Sequence, residues 1–457
     1  MHLFIFLPGV LGSALKQTHA PKGIIWPPGS VDAFNDRTFV ELTDDLEPHG
    51  IITDVCFQTI YSPIFDMFGQ AGIPVLKRGP KPARAFLPFD YDWRISLSSI
   101  ADRLAQKIES VTGAGDEVTV VAHSMGTAIV RYLLESGRYA SRPALKPIKR
   151  FVSINGPLRG APVMLARSFG LDPTDFIKFS EQTKILAAPG FSAGYTLMPA
   201  PWEKHLFNGA APIDIYDPAN SMRYGLGAQN MRDATAFWQT LASDRRNGAV
   251  EYILISSLLD DDHSDGGTTG STIERVTYTG GRWTREYGPG DGAVPPWSSK
   301  GLSGATVTMP IPGEHLGVIK TNAFRKLFGQ YVAALPPQAA AEEIHIQALV
   351  LNPMTGTVGE FSVINEADAK GGDATVTWAR LSTRGLTTQE VGLTEKVAIA
   401  ASRSTVVRTR VPQTLGNYLV TIEADGRTAS TRVTVRPYEA HGDIPAPPEG
   451  NARASRR

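Results

Sequence analysis

Cysteine is almost absent: Cys56 is the only one in 457 residues. One thiol rules out an intramolecular disulfide and a thiolate metal cluster by count. It fits a reducing, cytoplasmic setting, and an exported form is also compatible with it. The V-C-F-Q-T-I surroundings of Cys56 are those of a packed segment, not of an activated nucleophile. No apolar run reaches 18 residues, so an integral membrane protein is not expected. Net charge is lacking too, because 45 basic residues cancel 45 acidic ones. Without a field of one sign, nucleic acid is not an expected partner. The apolar start, Met1 to Leu7, has no basic region before it and no small-residue cleavage site after it, so it reads as a first β-strand and not as a signal peptide. There is no internal repeat.

What is present is a chain that is 42% hydrophobic and long enough for two to three domains. His2 to Leu7 runs into Pro8-Gly9 as a buried parallel strand runs into a loop. Leu97, Ile100, Leu104, Ile108 and Val111 stand at helical spacing. Val118–Val121, Phe151–Ile154 and Tyr252–Ile255 read as strands, and Thr127–Glu135 as a helix. Such alternation predicts α/β architecture with a mainly parallel sheet. Residues 159–248 read as an inserted cap or lid of short helices, one of them opened by Asp172-Pro173. A stripe from Phe324 to Leu335, stopped by Pro336-Pro337, closes a first domain over 1–337. After a linker at 338–343 the texture turns to short alternating runs at Ile344–Ala348, Thr375–Ala379, Thr405–Val411, Tyr418–Ile422 and Ser430–Val435. These predict an all-β, Ig-like sandwich over 344–437, with a disordered tail at 438–457.

Ser124 carries the chemistry. In A-H-S-M-G it lies between a short apolar strand and a helix, and small residues at 122 and 126 permit the sharp turn that presents its hydroxyl, a nucleophile elbow. A serine hydroxyl needs a base, and the base needs an acid to hold its tautomer. Of the histidines beyond a candidate acid, His345 and His441 fall in the β-domain and tail, which leaves His315 in P-G-E-H-L. Asp291, in G-P-G-D-G-A-V-P, is the chosen acid; the rival is the cluster Asp260, Asp261, Asp262 and Asp265, which with His263 also offers a site for Ca²⁺. Its plain reading is a solvated loop, and no metal or cofactor is expected. His123 points away from the hydroxyl and is structural. Two backbone N–H groups, those of Met125 and of Val10 in L-P-G-V-L-G-S, are the candidate oxyanion hole.

L-P-G-V-L-G-S, F-D-Y-D-W-R, A-H-S-M-G, G-D-G-A-V-P and P-G-E-H-L, taken in order from Leu7 to Leu316, resemble the lecithin:cholesterol acyltransferase family. The resemblance implies an α/β-hydrolase fold and an acyl-enzyme triad of Ser124, Asp291 and His315, with Val10 and Met125 as oxyanion donors. It implies a lipase, phospholipase, esterase or O-acyltransferase. It puts Tyr91 to Arg94 near the floor of the site, where Asp92 and Arg94 read physically as a bracing pair. The secreted animal members' disulfides cannot form here, the first elbow glycine is Ala122, and the β-domain is extra. The expected partners are a lipid or other acyl-ester substrate, a membrane surface met peripherally, and a protein bound through the β-domain. Phe57, Ile60, Tyr61, Ile64, Phe65 and Phe68 read as a core-facing stripe rather than a lipid-contacting one. The competing readings are a thioesterase or amidase, and an inactive binding protein on the same fold.

Overall fold

The computed structural model describes residues 1–18, 23–27, 45–55, 58–169, 171, 191–243, 246–259, 272–308, 310–336, 344–348, 353, 355–365, 372–381, 388–399, 404–424 and 426–435. Cys56, Phe57, the Asp172-Pro173 helix start, the Asp260–Asp265 cluster with His263, the 338–343 linker and the tail lie outside them.

Six strands make the central sheet: β1 (His2–Leu7), β2 (Arg84–Pro88), β3 (Glu117–His123), β4 (Ile148–Ile154), β5 (Glu251–Ile255) and β6 (Thr306–Val307). Their spatial order is β6-β5-β4-β3-β1-β2, and every neighbouring pair is parallel. Leu3 to Leu7 are all buried, because a parallel sheet is covered on both faces and its strands read as continuous apolar runs. Helices supply that cover. Four matter here: α1 (Ser62–Gln70), α2 (Leu97–Val111), α3 (Met125–Glu135) and α4 (Asn322–Tyr331). Ser96 caps α2 by accepting from the Ser99 N–H, and its buried stripe is the one spaced out in the sequence. Every residue of α3 is buried. The ion pair of Arg131 with Glu135 is hidden as well, and the guanidinium also donates to the carbonyls of Leu158 and Leu241. Phe68 of α1 meets Phe328 of α4 edge-on at 5.1 Å, so the stripe on α1 faces the core.

Two parts differ from the sequence expectation. Within 159–248, short helices at Pro162–Ser168, Ser192–Thr196, Pro218–Arg223 and Ala228–Leu241 are joined by two short strands. One of these, Leu206–Asn208, pairs with a hairpin of Thr272–Thr279 and Arg282–Gly288, so this layer recruits chain from beyond β5. Gly280 and Gly281, both left-handed, turn the hairpin, and alternating residues flank them, so it was signalled locally. Beyond residue 344, two further strands, Val358–Asn365 and Thr388–Ile399, join the five expected.

Those seven strands form antiparallel sheets of three and four. They share a core of their own that includes Phe361, Val376, Trp378, Tyr418 and Val420. The Trp378 indole donates to Thr409 Oγ1, bonding one sheet to the other, and Tyr418 Oη donates back to the Thr414 carbonyl.

Candidate active site

Ser124 sits at the joint of β3 and α3 with φ +53° and ψ −126°, a strained conformation for a residue with a side chain. The close approach of α3 to β1 enforces it. A Cβ on Gly126 would stand 2.7 Å from the Pro8 carbonyl oxygen and 2.9 Å from that of Leu7, so position 126 accepts only glycine. Ala122, where a first glycine is absent, is fully buried within β3.

From this joint Ser124 Oγ lies 2.8 Å from His315 Nε2, and His315 Nδ1 lies 2.8 Å from Asp291 Oδ2. The other carboxylate oxygen, Oδ1, accepts the N–H groups of Ala293 and Val294 at 2.9 and 2.6 Å, which fixes the acid against rotation. Burial alone would lower the His315 pKa, but the Asp291 charge and hydrogen bond, with Glu314 behind them, raise it above the ordinary 6.5. Glu314 is buried and pushed upward by that burial; its oxygens accept the N–H groups of Leu316 and Gly317 and so shape the turn carrying His315.

The loop from Leu7 to Ser13 lies against Ser124. A Cβ on Gly9 would come within 2.9 Å of Ser124 Cβ. Its carbonyls are tied down one after another: Pro8 accepts from Tyr91 Oη, Gly9 from the Gly12 N–H, Leu11 from the Trp26 indole, Gly12 from the Ile52 N–H, and Ser13 from the Trp93 indole. The Gly9 N–H donates to Tyr61 Oη at 2.7 Å. Val10 is thus held in a rigid turn whose next residue, Leu11, is left-handed at φ +64°. Met125 is the first residue of α3, so its N–H has no carbonyl one turn back to bond. Tyr91 and Trp93 of the Y-D-W-R run brace this loop, while Asp92 and Arg94 pair in a buried two-pronged contact at 2.8 and 2.9 Å.

Two residues of this site are not legible in the sequence. Asn155, left-handed at φ +48°, donates through Nδ2 to the His315 carbonyl at 3.0 Å and accepts the Ser257 N–H on Oδ1. The only local sign was an Asn-Gly pair at the end of β4. Tyr61 belongs by spacing to an apolar stripe, yet its hydroxyl touches both Gly9 and His123. Among the described residues no group of three or more His, Cys, Asp or Glu side chains is placed to hold a metal ion, and no helix is long and apolar enough to cross a membrane.

A parallel sheet, a serine at the strand–helix elbow after one of its middle strands, and a histidine and carboxylate from later loops are the marks of an α/β-hydrolase. The lecithin:cholesterol acyltransferase family model matches residues 60–238. The matched segment contains Ser124 and ends short of Asp291 and His315. No curated protein matches the chain. Among solved structures, a Bacillus licheniformis lipase, BlEst2 in its propeptide form, is similar at 13% identity and a TM-score of 0.36, over 94% of this chain and 92% of that one. The metagenomic carboxyl esterase MGS0156 is similar at 13% and 0.31, over 69% and 65%. The Listeria innocua lin2722 product follows at 12% and 0.32, over 74% and 96%.

Proposed function

We propose that the protein is a serine-dependent lipid acyl-ester hydrolase or O-acyltransferase working through an acyl-enzyme on Ser124. The observation that carries this reading is the unbroken chain Asp291–His315–Ser124, with 2.8 Å at each step. Asp291 holds the imidazole with its proton on Nδ1, which leaves the Nε2 lone pair to take the hydroxyl proton as Ser124 Oγ attacks the ester carbonyl. The negative charge that develops on the carbonyl oxygen is met by the N–H groups of Met125 and Val10, where losing one donor typically costs roughly 3–4 kcal/mol in the transition state. His315 then returns its proton to the departing alkoxide, giving an alcohol and the acyl-serine. Water, or another alcohol, attacks that ester with His315 again as base, releasing a carboxylic acid or a new ester and restoring Ser124.

In the same reading residues 1–337 form the catalytic domain, with 159–248 as the main part of a cap that governs which acyl chains enter. Residues 344–437 form an immunoglobulin-like sandwich that recruits the enzyme to a partner or a lipid surface. The Tyr418 hydroxyl bonded four residues upstream supports that class, since such a tyrosine corner recurs in these sandwiches. The setting is cytoplasmic, and no metal or cofactor enters the cycle.

A fluorophosphonate probe with peptide mapping tests the assignment. One adduct on Ser124, lost in Ser124→Ala with unchanged thermal unfolding, is the expected result. A folded wild-type protein that takes no adduct would sink it. A panel of p-nitrophenyl esters, thioesters, amides and phospholipids, with and without acceptor alcohols, then separates esterase from thioesterase, amidase and transferase.

A further inference from the structure

We propose that Tyr61 and His123 form a one-directional hydrogen-bond relay that ties the loop carrying Val10 to the backbone of His315, with Asn155 as its second anchor. Both groups are positioning residues, and the inference rests on the acyl-ester reading of Ser124.

The direction follows from counting protons. The Gly9 N–H can only donate, so Tyr61 Oη must accept there, at 2.7 Å. The single hydroxyl proton then goes to the other neighbour, His123 Nδ1, also at 2.7 Å. Nδ1 is therefore an acceptor, and a neutral imidazole must carry its proton on Nε2. That atom lies 2.9 Å from the His315 carbonyl oxygen, which can only accept. A backbone donor at one end and a backbone acceptor at the other leave one tautomer that satisfies every group. Protonated His123 would present Nδ1–H to a hydroxyl that already accepts from Gly9, and the Tyr61 proton would lose its acceptor. Tyr61 and His315 are the titratable groups facing His123, and burial with the nearby His315 pushes its pKa down to about 3. The neutral state is thereby kept across the working range.

Asn155 Nδ2 occupies the second lone pair of the same carbonyl at 3.0 Å. The imidazole base thus hangs from a residue whose backbone is clamped on both lone pairs. Through Tyr61 that clamp reaches the residue preceding Val10. Breaking the relay displaces the base and an oxyanion donor together, so its cost falls on kcat and not on KM.

The full chain tests it in two ways. In ¹⁵N-histidine spectra, with His123 assigned by its loss in His123→Gln, the wild type is expected to show the neutral Nε2–H tautomer without titration between pH 8 and 5. In Tyr61→Phe, whose ring still packs edge-on to Phe6, the His315 carbonyl keeps the proton on Nε2, while the Nδ1 resonance shifts because it no longer receives the Tyr61 hydroxyl proton. On a p-nitrophenyl ester, Tyr61→Phe and His123→Gln are expected to lower kcat by about 10- to 100-fold with KM nearly constant. An Nδ1–H tautomer, or a titration near 6.5 in the wild type, overturns the relay without need of any variant. So does wild-type kcat in both variants when the wild type labels with fluorophosphonate. A wild type that fails to label overturns the acyl-ester reading and the catalytic part of the relay with it, while the tautomer still reports on the hydrogen bonds alone.

Discussion

Between Ser124 and Asp291 the imidazole of His315 has one proton to place, and Asp291 decides where. Because Oδ1 is already held by two N–H groups, an asparagine at 291 keeps its oxygen there and turns its amide toward Nδ1. Nδ1 must then accept, the proton moves to Nε2, and the base is blocked. Asp291→Asn is expected to lower kcat by about 10⁴-fold with little change in KM, measured on a soluble ester. Only neutral His315 can take the serine proton, and its pKa is raised. The acid limb of kcat/KM is therefore expected to centre above 6.5, with activity falling as pH drops through it; a limb below 6.5 would contradict the environment seen here. His123 gives a separate acid effect, on stability. The unfolded chain takes up its proton below 6.5, whereas the folded protein resists protonation down to about 3. Stability from this group is thus full above 6.5 and is lost as pH falls toward 3, by up to about 1.4 kcal/mol per unit. Urea unfolding at pH 7.5 and 5 is expected to show a smaller loss in His123→Gln than in the wild type.

At the scale of elements, the elbow depends on how closely α3 can approach the end of β1. A methyl group at 126 meets the carbonyl oxygens of Leu7 and Pro8, both backbone atoms that cannot step aside. Gly126→Ala is expected to cost about 1–3 kcal/mol in urea unfolding and to reduce kcat sharply by tilting Ser124. Ala122, within β3, is fully buried. The elements themselves were largely legible. The α2 range from Leu97 to Val111 follows from its apolar spacing and a serine cap, both local. β1 follows from a short apolar run closed by Pro8-Gly9. Val358–Asn365 was harder to read, because Gly359, Glu360 and Ser362 interrupt its apolar pattern.

For the whole molecule, the buried cluster of the α/β body draws its residues from Leu3 through Ala333, and that of the C-terminal sheets begins at Ile344. Among the described residues the two clusters share no member, so each part has a buried core of its own. A chain ended after Pro337 is expected to keep short-ester turnover within about threefold and to lose one thermal transition, as read by calorimetry. If the sandwich recruits the enzyme to lipid, the same truncation lowers activity on vesicles far more than on soluble esters. Loss of both activities would make the C-terminal sheets part of the catalytic fold.

The sequence by itself determined the repeating strand and helix and the small residues around Ser124, which rest on residue type and short spacing, and the candidate triad, which rests on the order of motifs along the chain. It favoured Asp291 over the Asp260–Asp265 cluster as the acid, without the contact to His315 that makes a carboxylate serve. Nor did it reveal Tyr61 or Asn155 as partners of the site. Only the tertiary structure decided that His315 meets Ser124 across 191 residues and that its carbonyl meets both His123 and Asn155. The physical reason is range: propensity and periodicity act over a few residues, whereas a hydrogen bond between distant loops exists only where the sheet order brings their ends together.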